Sequence, residues 1–150
     1  MRRRGGGRVN REGSDLAGTA RTVLIVEDDE SVAELVKFTL ARETFDVSIT
    51  HDCAGARAAI EANDYDLILL DLKLPDGEGL ELLGWIKKRR NAGLVIVMTA
   101  FRQEEKALRA FDLGAVDFIC KPFKPRELVT RVRFALDLGP SQARGERKGA

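Results

Sequence analysis

The sequence predicts an α/β fold in which an open, doubly wound sheet of five parallel strands carries helices on both faces. Five apolar segments alternate with five helical segments between residues 22 and 137. The first, third and fourth apolar segments are continuous runs of Leu and β-branched residues, which is typical of strands buried on both faces of a parallel sheet. Five strand–helix units within about 115 residues indicate an open sheet of the type (βα)5.

The five strands are predicted from the positions of these apolar runs. The second run alternates apolar and polar residues, which favours a place at an edge of the sheet. The predicted strands cover residues 23–26, 45–49, 67–70, 94–98 and 116–120.

The five helices are predicted between and after the strands. In the first helix, Val32, Leu35, Val36 and Leu40 are expected to form the apolar stripe. Gly114 is a suitable C-terminal cap for the fourth helix. The predicted helices are SVAELVKFTLA (31–41), AGARAAIEA (54–62), GLELLGWIKK (79–88), EKALRAFDLG (105–114) and RELVTRVRFAL (126–136).

The net charge of +1 is unevenly distributed along the chain. Residues 1–20 carry +3 and residues 139–150 carry +2, so the domain predicted between them, residues 21–138, carries −4. Both terminal segments are rich in Gly, Arg and Ser and poor in large apolar residues, which predicts disordered basic tails. Such tails are either weak contacts for nucleic acid or ordinary solvated segments. Nucleic acid is not an expected partner of the acidic domain itself.

Three features of the composition bear on the location of the protein. No apolar stretch is long enough to cross a bilayer, and no hydrophobic segment follows the first arginines as it would in a secretory signal. Cys53 opens a predicted helix and Cys120 lies in a strand run, so both are expected to be reduced thiols. We therefore expect a cytoplasmic protein with no membrane partner.

Acidic residues follow two of the buried strands at the point where each strand ends. Glu27 and Asp28 come directly after the first strand, and Asp71 ends the third strand before a Pro-Gly loop. In the flavodoxin-like strand order 2-1-3-4-5, these two strands flank the crevice at which ligands bind. Clustered carboxylates repel one another unless a cation binds them, and oxygen ligands suit Mg²⁺. The sequence therefore predicts a magnesium site beside a nucleophilic carboxylate; the alternative for Glu27 and Asp28 is capping of the next helix.

Polar residues also end the fourth and fifth strands. The hydroxyl of Thr99 can donate a hydrogen bond to a phosphoryl oxygen, and Ala100 is small enough to leave room for that group. The ammonium group of Lys121 can pair with Asp71 and then with an added phosphate, and a cis peptide bond before Pro122 would fix its direction. Taken singly, a Thr at a strand end is more often a turn residue, and a Lys there is more often solvated.

Four segments occur in an order that resembles one family: VLIVEDDE, LILLDLKLPDGEGLELL, VIVMTA and GAVDFICKPF. Over residues 21–138 the chain resembles the receiver (CheY-like) domain of two-component response regulators. The resemblance implies that Asp71 accepts a phosphoryl group from a sensor histidine kinase or a phosphotransfer protein, with Mg²⁺ as the cofactor. It also implies a signalling domain, and not an enzyme, that assists its own phosphorylation and dephosphorylation.

The same resemblance implies roles for individual residues. The metal ligands would be Glu27, Asp28, Asp71 and the backbone carbonyl of Lys73. Thr99 and Lys121 would hold the phosphoryl oxygens, and Phe118 occupies the position of the family's switch aromatic. An inward movement of Thr99 would make room for Phe118 to rotate, which couples the site to the face formed by the fourth helix, the fifth strand and the fifth helix. Because Phe118 has no hydroxyl, packing would drive this rotation.

Charged residues on that output face match positions that winged-helix regulators use to form homodimers. The matching residues are Asp117, Glu127 and Arg131. On the fourth helix the aligned position is Ala107, so that Lys106 or Arg109 would have to supply the basic partner. Charges on helix surfaces are commonly just solvated, and a monomer is the alternative. The effector that binds this face is not identified by the sequence.

Three other classes of protein share part of this pattern. A phosphatase of the haloacid dehalogenase type also uses a strand-end Asp, but it needs a second Asp two residues later, where this chain has Lys73. A flavin or nucleotide binder of the same fold would need a Gly- or Ser/Thr-rich loop after the first strand, where this chain has VEDDESV. A phosphate-independent pseudo-receiver would be an interaction module alone, although every residue that phosphorylation requires is present.

Overall fold

The computed structural model describes residues 20–90, 92–100, 103–139 and 141. The basic tails predicted over residues 1–20 and 139–150 lie almost entirely outside these residues. The domain boundaries proposed from the sequence therefore stay predictions.

Five strands form one parallel sheet in the predicted order. They are β1 (Thr22–Val26), β2 (Asp46–Thr50), β3 (Leu67–Asp71), β4 (Leu94–Ala100) and β5 (Asp117–Lys121). Their order in the sheet is β2-β1-β3-β4-β5, and every neighbouring pair is parallel. The alternating strand β2 lies at an edge of the sheet, as its pattern predicted. None of its residues is fully buried, so it can carry polar residues where a central strand must be apolar on both faces.

Five helices alternate with these strands, within two residues of the predicted bounds. They are α1 (Glu30–Ala41), α2 (Cys53–Ala62), α3 (Gly79–Lys87), α4 (Glu104–Asp112) and α5 (Pro125–Ala135). Gly114 follows α4 with a φ of 111°, a conformation that glycine adopts without strain. Pro125 is the first residue of α5, where a missing N–H removes no helical hydrogen bond.

The sheet separates two hydrophobic layers. Helices α2, α3 and α4 pack on one face, and α1 and α5 pack on the other. Successive residues of a strand point to opposite faces, so in β1 Leu24 and Val26 enter the first layer while Val23 and Ile25 enter the second. This double burial explains why β1, β3 and β4 are apolar at nearly every position. The polar residues of β3 and β4, Asp71 and Thr99, lie at the carboxyl ends of these strands.

One predicted core position is wrong. Leu35 of α1 is 47% exposed, whereas Val36 and Leu40 are fully buried and Val32 is half-buried. The buried stripe of α1 is completed instead by Ala33, which lies three residues before Val36 and seven before Leu40. Ala33 is fully buried in the hydrophobic layer that α1 shares with the sheet and α5. The stripe is therefore rotated away from Leu35.

Among the described residues the longest helix has 12 residues, and none is both long and apolar enough to span a bilayer.

Candidate functional site

The first acidic loop follows β1 at the carboxyl edge of the sheet. Glu27 is buried, with 1% of its surface exposed, whereas Asp28 and Asp29 are exposed. The carboxylate of Asp29 caps α1 by accepting hydrogen bonds from the backbone N–H groups of Ser31 and Val32, at 2.9 and 3.1 Å. The capping role that the sequence allowed for this loop thus belongs to Asp29. Glu27 and Asp28 are left to face the crevice.

Asp71, the last residue of β3, is the next acidic residue at the carboxyl edge of the sheet, and it is 6% exposed. Its Oδ1 accepts a hydrogen bond of 3.1 Å from the backbone N–H of Lys73. After it, the chain forms a short antiparallel ribbon in which Lys73–Leu74 pairs with Gly77–Glu78. The ribbon returns so closely that a Cβ atom on Gly79 would lie 2.5 Å from the Cα of Leu72. Glycine at position 79 is therefore required for the loop that holds Asp71.

The three carboxylates predicted to bind a metal lie together. One oxygen from each of Glu27, Asp28 and Asp71 falls within 4.8 Å of the other two. They line a cavity of about 700 Å³, and its other lining residues include Lys73, Thr99, Ala100, Lys106 and Lys121. A group of hard anionic oxygens at this spacing suits Mg²⁺, which is bound by a few carboxylates and retains several water ligands. The donor set therefore fits the cation that the sequence implied.

Lys121 is the counter-charge of this cluster. Its Nζ lies 2.5 Å from Oε1 of Glu27 and 3.3 Å from Oδ2 of Asp71, and the peptide bond to Pro122 is cis. Burial raises the pKa of the Glu27 carboxyl to about 7, and the charge on Asp71 adds to this rise, although the ammonium group of Lys121 opposes it. Burial would lower the pKa of Lys121, but its two carboxylate partners raise it above the ordinary value. Lys121 is thus cationic and close to the carboxylate of Asp71.

Thr99 provides a hydrogen-bonding group that has no use in the protein alone. Its side chain is 3% exposed, and its hydroxyl has no hydrogen-bond partner in the part of the chain that the structure describes. Buried hydroxyls are nearly always paired, and an unpaired one costs about 1–3 kcal/mol. The next residue, Ala100, is exposed and pairs with Lys121 in the sheet. An oxygen-rich ligand between Asp71 and Lys121 would supply the missing partner.

The candidate switch residue, Phe118, is the second residue of β5. It is half-buried and contacts Phe111 of α4 edge to face, with ring centroids 5.8 Å apart. Phe118 is opposite Val97 in the sheet register, two residues before Thr99. Phe118 therefore lies beside the strand that carries Thr99 and contacts α4.

The predicted output-face charges are divided between two places. Arg131 donates hydrogen bonds of 3.0 and 2.9 Å to the two carboxylate oxygens of Asp117, and its Nε lies 3.4 Å from Glu127. These three residues line one groove with Phe134. Lys106 instead lines the acidic cavity. The structure thus does not place Lys106 in the groove with the other three charges.

Two contacts near the site were not foreseen from the sequence. Nδ1 of His51, after β2, lies 2.9 Å from the backbone oxygen of Glu27. The carboxylate of Asp76 accepts hydrogen bonds from the first backbone N–H groups of α2. The signal for the second contact is a Pro-Asp-Gly turn, which marks a tight turn but does not say which helix the turn meets.

A five-stranded parallel sheet with an acidic cavity at its carboxyl edge defines a flavodoxin-like α/β domain with a candidate metal site, and sequence comparison identifies the family. The family model described as "Response regulator receiver domain" matches residues 23–133. The chain belongs to this family, and it is a receiver domain with a phosphoacceptor role in two-component signalling.

Relatives and solved structures agree with this assignment. Response regulator ArlR of Staphylococcus saprophyticus is 37% identical over 120 residues, which cover 80% of this chain and 54% of ArlR. Sensory transduction protein RegX3 of Mycolicibacterium smegmatis is 37% identical over 118 residues, 79% of this chain and 51% of RegX3. The chain thus spans about half the length of these curated relatives.

Among solved structures, a CheY-like response regulator receiver domain protein from Methanospirillum hungatei has a TM-score of 0.75 and 34% identity, covering 79% of this chain and 94% of that one. The receiver domain of NtrX from Brucella abortus has a TM-score of 0.74 and 33% identity, covering 78% of this chain and 99% of that one.

Proposed function

We propose that Asp71 is the residue that accepts the phosphoryl group. The observation that carries this proposal is the position of its buried carboxylate, 3.3 Å from Lys121 and within 4.8 Å of the carboxylates of Glu27 and Asp28. A carboxylate oxygen of Asp71 forms a bond to phosphorus as the phosphorus–nitrogen bond of a phosphohistidine breaks. The imidazole leaves with the electron pair and takes up a proton. Positioning and charge neutralisation suffice for such a transfer.

The residues around Asp71 have separate tasks in this proposal. Glu27, Asp28, Asp71 and the backbone carbonyl of Lys73 would hold Mg²⁺, which supplies charge neutralisation for the phosphoryl oxygens. Lys121 exchanges part of its contact with Asp71 for a phosphoryl oxygen, and the unpaired hydroxyl of Thr99 donates to another. The cavity at Ala100 accommodates the group. The same pocket then admits water, which bonds to phosphorus and releases inorganic phosphate from the carboxylate.

The output of this reaction is a change at the face formed by α4, β5 and α5. When Thr99 moves toward the phosphoryl group, Phe118 gains room to move inward and its contact with Phe111 changes. The phosphoryl group thereby favours one of two packing states, as ligands do in a two-state equilibrium. We infer that a sensor histidine kinase or phosphotransfer protein supplies the phosphoryl group in the cytoplasm, and that an effector binds the changed face.

The same face supports a homodimer as one form of output. Apolar side chains are exposed on it, among them Leu108 at 64% and Phe134 at 83%. Arg131 and Asp117 already pair within one chain, so a dimer would exchange these internal pairs for pairs between chains. Light scattering of the purified chain with and without Mg²⁺ and acetyl phosphate tests this. A mass that stays that of one chain in both samples contradicts the dimer.

The acceptor itself is tested by labelling with radioactive acetyl phosphate in the presence of Mg²⁺. Wild type should be labelled, and chelation of Mg²⁺ should prevent it. Asp71→Asn should abolish the label, because an amide cannot form the acyl phosphate. Asp46→Asn is the matched control, since Asp46 begins β2 at the opposite edge of the sheet, and it should be labelled like wild type.

Two results would exclude the proposal. A labelled Asp71→Asn protein would move the acceptor elsewhere, and an unlabelled wild type would indicate a phosphate-independent interaction module. Turnover of p-nitrophenyl phosphate at many cycles per chain would instead indicate a phosphatase. We expect none, because Lys73 occupies the position at which such a phosphatase carries its general acid.

A further inference from the structure

The N-terminus of α2 is capped by two carboxylates from different parts of the chain. Asp52, the residue before the helix, accepts a hydrogen bond of 2.7 Å from the N–H of Gly55. Asp76, from the loop after β3, accepts one of 2.7 Å from Cys53 and one of 3.0 Å from Ala54. The first N–H groups of a helix have no partner within it. Asp76 thus satisfies two of these donors although it belongs to another element.

Asp76 lies at the tip of the ribbon that follows the phosphoacceptor strand. The ribbon register places Lys73 opposite Glu78 and Leu74 opposite Gly77, so Pro75 and Asp76 form its turn. The adjoining residues Pro75 and Gly77 line the acidic cavity, while the Asp76 carboxylate is bonded to α2. One side of the turn therefore forms the wall of the site, and the other side is fastened to a helix.

The ribbon also packs against α2. Leu74 is buried and belongs to the same hydrophobic layer as Cys53. A Cβ atom on Gly77 would lie 3.2 Å from Sγ of Cys53, so the backbone of the ribbon passes directly over the first residue of the helix. The ribbon and α2 are thus already in contact. The two hydrogen bonds to the Asp76 carboxylate further restrain the exposed turn of the ribbon.

Asp76 is ionised at neutral pH. The backbone N–H groups of Cys53 and Ala54 lower the pKa of its carboxyl below the ordinary value. The positive end of the helix dipole also favours a negative charge at this position. The contact is therefore charge-assisted under the conditions in which the site would bind a cation.

We propose that Asp76 is a positioning residue for the metal site. By hydrogen-bonding the ribbon to α2, Asp76 holds the backbone carbonyl of Lys73 in place. The inference rests on the proposed function, since it concerns the Mg²⁺ that Glu27, Asp28 and Asp71 would bind. Asp76 acts only through the backbone between it and Lys73. Groups that hydrogen-bond directly to a metal ligand typically change affinity by about 10- to 100-fold when they are replaced, and Asp76, which acts at one remove, is expected at the lower end of this range.

The test is a calorimetric titration of the whole chain with MgCl₂. Asp76→Ala should weaken Mg²⁺ binding by about tenfold, and Asp76→Asn, which keeps one acceptor oxygen, should weaken it by a smaller factor. Asp52→Ala is the matched control, because it removes a carboxylate cap from the same helix without touching the ribbon. Its Mg²⁺ affinity should equal that of wild type, even though it also loses helix stability.

A second measurement separates positioning from general damage. The initial rate of phosphorylation by acetyl phosphate is measured as a function of Mg²⁺ concentration for the same proteins. Asp76→Ala should need about ten times more Mg²⁺ for half of its maximal rate. Its maximal rate should be that of wild type, because Asp71, Thr99 and Lys121 are unchanged. A protein that was merely distorted would lose maximal rate as well.

Each outcome bears on the inference in a defined way. If wild type binds Mg²⁺ and Asp76→Ala binds it equally well, Asp76 does not position the site, and the proposed function stands. If Asp52→Ala loses as much affinity as Asp76→Ala, the stability of α2 and not the link to the ribbon is responsible, which also overturns the inference. If wild type neither binds Mg²⁺ nor becomes phosphorylated, the proposed function itself is wrong. If Asp76→Ala does not fold, Asp76→Asn takes its place in the comparisons with wild type and with Asp52→Ala.

Discussion

Replacement of Thr99 by valine should make the unphosphorylated protein more stable while it impairs phosphorylation. Thr99 is 3% exposed and its hydroxyl has no partner among the described residues. Valine has nearly the same shape and suits a β-strand. The substitution removes the desolvation penalty of an unpaired buried hydroxyl, which is about 1–3 kcal/mol. A gain of about 1 kcal/mol corresponds to an increase of about 4 °C in Tm for a domain of this size.

The phosphorylated form should respond in the opposite direction. If the hydroxyl of Thr99 donates to a phosphoryl oxygen, its loss removes a hydrogen bond to a charged group, worth about 1.5–3 kcal/mol. The ratio of labelled to unlabelled protein at equilibrium with acetyl phosphate should then fall about tenfold or more. The two effects have one cause, because the hydroxyl is costly until the phosphoryl group arrives.

Urea and thermal denaturation without Mg²⁺ measure the first effect, and labelling in the presence of Mg²⁺ measures the second. Thr99→Ser is the control, since it keeps the hydroxyl and loses only a methyl group. It should be less stable than wild type by about 1 kcal/mol and should be labelled more fully than Thr99→Val. A Thr99→Val protein that is less stable than wild type would refute the reasoning, because it would mean that the hydroxyl has a partner in solution.

Three further predictions follow from the structure. Burial raises the pKa of Glu27 to about 7 from the ordinary 4.5, so the folded chain binds a proton at Glu27 more tightly than the unfolded chain does. The protonated carboxyl therefore contributes its whole share of the free energy of unfolding below the ordinary pKa. This contribution is lost as the pH rises through about 7. In urea denaturation without divalent cations, wild type should therefore lose stability relative to Glu27→Gln between about pH 5 and about pH 8, and parallel curves would contradict this. Burial raises the pKa of the Cys53 thiol to about 11, so mass spectrometry should find Cys53 unmodified after iodoacetamide treatment of the native protein at about pH 8 and alkylated after denaturation. Gly79→Ala should destabilise the protein by about 1–3 kcal/mol in urea denaturation, since the new Cβ would lie 2.5 Å from the Cα of Leu72. Gly84→Ala within α3 is the control, because no atom lies within 4 Å of its new Cβ. It should stabilise the protein by about 0.5–1 kcal/mol in the same assay.

The elements and the centre of the site could be predicted because each depends on local sequence. Strands buried on both faces must be apolar throughout, so a polar residue at the end of one, such as Asp71 or Lys121, is conspicuous. Parallel strands then bring these ends to one edge, and no further information is needed to place Asp71 near Glu27. The functional roles of these residues stay proposals until they are tested.

The remaining features depend on how elements are rotated and packed, which a single sequence does not contain. Leu35 and Ala33 are both apolar, and only the rotation of α1 about its axis against the sheet decides which of them is buried. Lys106 is one residue before Ala107, and the rotation of α4 directs it to the cavity. The contact between Asp76 and α2 joins residues 22 and 23 positions apart, and no pattern within either segment indicates it.

The division of side chains between the two hydrophobic layers limits how this chain can change in length. In β3, Leu67 and Leu69 serve one layer while Ile68 and Leu70 serve the other. Removal of a single residue from the middle of the strand would exchange the layers for every residue on one side of the deletion and would shift Asp71 out of line with its neighbours. Insertions and deletions in homologous sequences should therefore be found in the connections at the amino edge of the sheet, and not in β1 and β3, the strands that lead to Glu27 and Asp71.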